Sequence, residues 1–89
     1  MTTQPVFRLD EAPLQVTLAV HEVAQSVGIS WPQRLEDLGF LPGERVMVLM
    51  RGTPGREPLA VRIGHSTFAL RRSEAACIRV RRWPADDVR

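Results

Sequence analysis

Lysine and tyrosine are missing from this chain, and cysteine occurs once, at Cys77. A single thiol excludes an intrachain disulfide, and no C-x-x-C pair is available for a structural zinc. A chain without disulfides fits a reducing compartment, so a cytoplasmic setting is expected. Long apolar runs are also lacking. The longest, Val46-Met47-Val48-Leu49-Met50, is far short of the roughly 20 residues a membrane helix needs. The first stretch carries Asp10 and Glu11 and no apolar core, so no signal peptide is expected. No nucleophile elbow, phosphate-binding loop or dinucleotide fingerprint occurs. With 89 residues the chain supports one thin core and no cleft between lobes. An enzyme is therefore not expected, nor a small-molecule substrate.

What is present is arginine. All 12 basic residues are Arg, which we attribute to codon usage rather than function. Their distribution is uneven. Residues 1–44 hold two Arg and six acids, a balance of −4. Residues 45–89 hold ten Arg and four acids, a balance of +6. One basic and one acidic face would suit docking to a charged protein surface.

Residues 1–13 read as a flexible arm. From Leu14 the pattern has period two, with Leu14, Val16, Leu18 and Val20 on one side, as in a half-buried strand. Ser30 can cap a helix with Gln33 as its capping-box partner. Trp31, Leu35 and Leu38 share one face of that helix. Gly39 stands where a left-handed cap is expected. Pro42-Gly43 is a type II turn signal. The strand from Arg45 to Arg51 is apolar on both faces, as if covered on both sides. A loop rich in Gly and Pro spans 52–58. Leu59, Val61 and Ile63 alternate as a further strand, Gly64-His65 can turn a hairpin, and Phe68 and Leu70 point inward from the next. Ser73 can cap a short helical turn. Ile78 and Val80 make the last strand, and residues 83–89 read as a tail. The fold class expected is mainly β: a small SH3-like barrel of about five strands over 14–82, with a short helix inserted after the first strand.

Three stretches carry a family resemblance. The first is Arg34-Leu35-Glu36-Asp37-Leu38-Gly39-Phe40-Leu41-Pro42-Gly43. The second is Arg51-Gly52-Thr53-Pro54-Gly55-Arg56-Glu57-Pro58, and the third Leu70-Arg71-Arg72-Ser73-Glu74-Ala75-Ala76-Cys77-Ile78-Arg79-Val80. In this order and spacing they resemble the FeoA family of the bacterial ferrous iron uptake system. The glycine of the second stretch stands one place early, and His21 to Trp31 replaces the family's Gly-rich approach to the helix. The resemblance implies an SH3-like barrel in the cytoplasm, peripheral at the inner membrane through its partner. That partner would be a FeoB-type ferrous iron permease with a cytosolic GTP-binding part. The implied role is accessory or regulatory, without catalytic residues.

Leu38, Gly39, Phe40, Leu41, Pro42 and Gly43 are the expected partner contacts, with Arg71 and Arg72 as a charged patch. The plainer reading pairs one of these arginines with Glu74 or Glu57. No cofactor is required by the sequence. His21 and Glu22, joined by His65 or an acid, could bind Zn²⁺ or Fe²⁺ weakly, at the surface or in a metal-linked homodimer. A solvated role for both histidines is the commoner one. Cys77 reads as a small buried residue. Nucleic-acid binding through Arg62, Arg71, Arg79 and Arg81 is the rival function. A net charge of +2 and few free aromatics weigh against it.

Overall fold

The computed structural model describes residues 5–24, 31–52, 55 and 57–83. These residues form six strands, β1 (Phe7–Arg8), β2 (Leu18–Val23), β3 (Arg45–Arg51), β4 (Leu59–Ile63), β5 (Ser66–Leu70) and β6 (Ile78–Arg82), with period-two hydrophobicity behind the longer ones. Two helices interrupt them, α1 (Trp31–Leu38) and α2 (Arg72–Ala75). The strands form one antiparallel sheet in the order β1-β6-β2-β3-β4-β5. Alternate residues face one shared core. Leu18 and Val20 of β2, Val46 and Val48 of β3, Val61 of β4, Leu70 of β5 and Val80 of β6 belong to a single buried cluster. A sheet whose opposite ends meet in one cluster is curled around it, with the core on the inner side. Phe40 and Leu35 fill the interior, and the Phe40 ring lies 6.3 Å from that of Phe68.

Several expectations need correction. Residues 7–12 are not a loose arm. They form β1, paired with β6, and a 3-10 turn whose Leu9 is fully buried. No spacing signals this because the partners lie some 70 residues away. The first long strand begins at Leu18, not Leu14. Leu14 and Val16 are exposed, and Leu14 makes only an isolated parallel bridge to Val48. Gln15 between them has φ 60°, which breaks the alternation. Strand β3 is central, but only its inner face is covered: Val46 and Val48 are buried whereas Met50 is 61% exposed. A bulge at Leu49 turns the end of the strand over. Among the described residues the sheet has six strands rather than five, and no ladder joins β1 to β5 to close it. The N-cap of helix α2 is Arg71 rather than Ser73, which lies inside the helix. Trp83 is half-buried with the Arg45 guanidinium stacked over it, so the tail does not begin there. Ser30, and the side chains of Trp31 and Pro32, lie outside what is described.

Candidate functional site

The helix exit is built by local rules. Gly39 (φ 115°) ends α1. Its N–H donates to Glu36 O (3.0 Å), and the Phe40 N–H donates to Leu35 O (3.1 Å). This pair of bonds is the Schellman arrangement, and its hydrophobic contact is Leu35 with Phe40. Next comes the turn over residues 41–44, closed by Glu44 N–H to Leu41 O (3.0 Å) with Gly43 at φ 91°. Proline at the second position and glycine at the third satisfy a type II turn. The corner is also pinned to β2. Gly43 N–H donates to Val20 O (2.8 Å), and Val20 N–H donates to Glu44 O (2.9 Å). The result is a rigid projection that leaves Leu41 48% exposed beside exposed Pro42 and Gly43.

The expected contact set is therefore divided. Leu41, Pro42 and Gly43 are presented outward. Leu38 is half-buried against the core. Phe40 is fully buried and cannot touch a partner, because its ring supplies the cap's apolar contact.

Arg71 and Arg72 are both exposed. Their pairing with Glu74 and Glu57 is made by the backbone: Arg71 N–H donates to Glu74 Oε1 (2.9 Å) and Arg72 N–H to Glu57 Oε1 (2.8 Å). The two carboxylates satisfy the open amides at the start of α2. Both guanidinium groups are without an ion pair among the described residues. Gly52 makes this possible, since a Cβ there would sit 2.5 Å from the Glu57 carbonyl oxygen. The Gly52 N–H donates to Pro58 O (2.9 Å), which closes the neck of the loop that carries Glu57.

His21 and Glu22 are exposed on β2, at the bulge where its pairing with β6 shifts, and His65 is exposed in the β4–β5 turn. Among the described residues no three His, Cys, Asp or Glu side chains come together as metal ligands. The fold thus does not unite His21, Glu22 and His65 within one chain. Cys77 is buried, with its Sγ 3.5 Å from Ser73 O.

Two features go beyond what the sequence shows. One is a cleft of about 540 Å³ lined in part by Arg8, Asp10, Arg51 and Arg72. Its walls are tied internally. Arg8 bonds Asp10 (3.0 Å) and Glu11 (2.9 Å), and Arg51 Nη2 donates to Ala12 O (2.7 Å). The cleft exists because residues 7–14 pack on the domain, which no local pattern announced. The other is the outer face of the sheet. Directly opposed residues share a face, so the register places Arg81, Ala19 and Arg45 in one outer row and Met47, Arg62 and Thr67 in the next. Arg79 lies opposite Glu22, and Met50 opposite Ala60. The sequence already groups Arg62, Arg79 and Arg81 as a basic set, and the register adds Arg45 to them.

The sequence pattern of the FeoA domain matches residues 7–82. The chain belongs to the FeoA family. Among solved structures, FeoA of Stenotrophomonas maltophilia, a prokaryotic SH3 domain protein complexed with zinc, is 39% identical with a TM-score of 0.76 over 83% of this chain and 88% of that one. FeoA of Chlorobium tepidum is 29% identical, TM-score 0.72, over 92% of this chain and 75% of that one. A manganese-dependent transcriptional repressor shares the fold at 21% identity and TM-score 0.76, over 92% of this chain but only 44% of its own. No curated protein sequence matches the chain. The family is linked to ferrous iron transport and is not a known family of enzymes. The SH3-like expectation holds, with the additional strand β1 included in the family's span.

Proposed function

We propose that this FeoA protein is an accessory component of ferrous iron uptake that docks on the cytosolic, GTP-binding part of a FeoB-type permease. It would thus be cytoplasmic and peripheral at the inner membrane through that partner. The observation that carries this reading is the corner at Leu41, Pro42 and Gly43. It is an apolar tip held rigid from both sides, which lowers the ordering cost of an interface. The Stenotrophomonas maltophilia relative is itself considered a candidate ferrous iron transport activating factor. Docking changes the permease only insofar as it favours one of its states over another. Co-purification with the permease tests the reading. Replacing Leu41 by Asp is expected to reduce capture about tenfold or more, as for an anchor residue at an interface centre, without lowering stability. Undiminished capture would defeat it. Arg71 and Arg72 contribute a secondary, salt-sensitive contact, and Arg72→Glu should weaken capture less than Leu41→Asp.

A second reading concerns metal. The 39%-identical relative was solved with zinc. Because one chain does not gather three ligands among the described residues, a zinc ion here would have to link two copies through His21, Glu22 and His65. Titration calorimetry with Zn²⁺ would show heat coupled to dimerisation, absent in His21→Ala. Identical binding by the variant would remove this reading.

A further inference from the structure

The outer face of the sheet is unusually basic for a protein of charge +2. Arg45, Arg62, Arg79 and Arg81 lie on three outer rows and three strands, and Glu22 is the one acid in those rows among the described residues. Among the described residues the recorded ion pairs involve only Arg8. Apolar side chains share the same face. Met50 is 61% exposed and Met47 is half-exposed. Beside them Trp83 is half-buried, with the Arg45 guanidinium carbon 5.2 Å from its ring centroid. The core occupies the inner side of the curled sheet, and the outer side carries a shallow hollow of about 280 Å³ lined in part by Arg45, Met47 and Arg62.

We infer that the outer face of β3, β4 and β6 rests directly on an anionic phospholipid surface. A lipid surface asks for this combination: spread positive charge for the headgroups, with methionine and tryptophan at the interfacial level. A single-stranded nucleic acid would instead favour a row of aromatic rings on which successive bases stack, whereas among the described residues Trp83 alone accompanies these arginines. Attraction from a few arginines without a lipid anchor is weak and reversible. It therefore serves to concentrate the protein at the membrane and to orient it, with the Arg-rich face toward the bilayer.

The experiment uses the full chain and vesicles without any protein, so its failure is separate from a failure of permease docking. The protein should co-sediment with vesicles of phosphatidylcholine containing roughly a third phosphatidylglycerol, and not with phosphatidylcholine alone. Raising salt from about 0.05 M to 0.5 M should release it, as the screening length falls well below 10 Å. Arg62→Glu with Arg81→Glu should reduce the bound fraction at least about fivefold. Arg72→Glu makes the same charge reversal once, on α2 and off this face, and should change it little. Amide line-broadening of the unaltered protein by spin-labelled lipid should fall on β3, β4 and β6, a readout independent of variant folding. Binding to neutral vesicles at equal strength, no binding at low salt, or broadening spread over the whole surface would overturn the inference. So would tight duplex binding in a gel shift that the double variant abolishes.

Discussion

Residues 35–44 and residues 7–16 both fasten irregular backbone to the core, but they do so by different means. In the first stretch each special conformation falls on a residue suited to it. Gly39 and Gly43 carry the positive φ values, Pro42 sets the turn, and Phe40 closes onto Leu35 five residues back. In the second, nothing local requires the structure. Phe7 pairs with Val80, Ala12 O is held by Arg51, and Gln15 takes φ 60° while its N–H donates to Val48 O at 2.7 Å. A strained conformation at a residue other than glycine persists where surrounding contacts fix it. The first stretch should thus be shaped almost as soon as its helix forms, while the second waits for β3 and β6.

This contrast can be broken by mutation. Phe40→Ala should cost about 3–5 kcal/mol and Leu9→Ala about 2–5 kcal/mol, both being fully buried in the same core. Urea unfolding measures both. A Leu9→Ala cost near zero would show that residues 7–12 are the loose arm they resemble in sequence. Next in size is Gly39→Ala, which places a Cβ at φ 115° and should cost roughly 1–2 kcal/mol; thermal unfolding that does not move would contradict the cap. The smallest effect has the opposite sign. Gln15→Gly relieves a left-handed residue and should stabilise by up to about 1 kcal/mol, offset by the greater freedom glycine has when unfolded. A loss instead would mean that the Gln15 side chain contributes more than its backbone strain removes.

The same contrast explains what was legible beforehand. The corner at residues 41–43 was visible as Pro-Gly after a Gly-ended helix. The error at Phe40 arose because an apolar pair beside a turn does not say which member faces inward; the Schellman cap decides that. Spacing in the sequence suggests side-chain ion pairs of Glu57 or Glu74 with Arg71 or Arg72. The structure uses their carboxylates on backbone amides instead, since the first turn of a helix has donors to satisfy. The arginines of the outer face are adjacent only through register, which joins β6 to β2, β2 to β3 and β3 to β4.

Sequence alone determined the elements whose signals are short-ranged: the alternation in β4, the Gly64-His65 hairpin, the capped exit of α1 and the family to which these motifs belong. Tertiary structure alone decided that residues 7–12 join the core, that the strand from Leu18 rather than Leu14 enters the sheet, and that dispersed arginines make one surface. The reason is physical. A turn or cap is fixed by neighbours a few residues apart, whereas burial of Leu9 and alignment of Arg45 with Arg81 depend on chain segments that meet only when the sheet curls around its core.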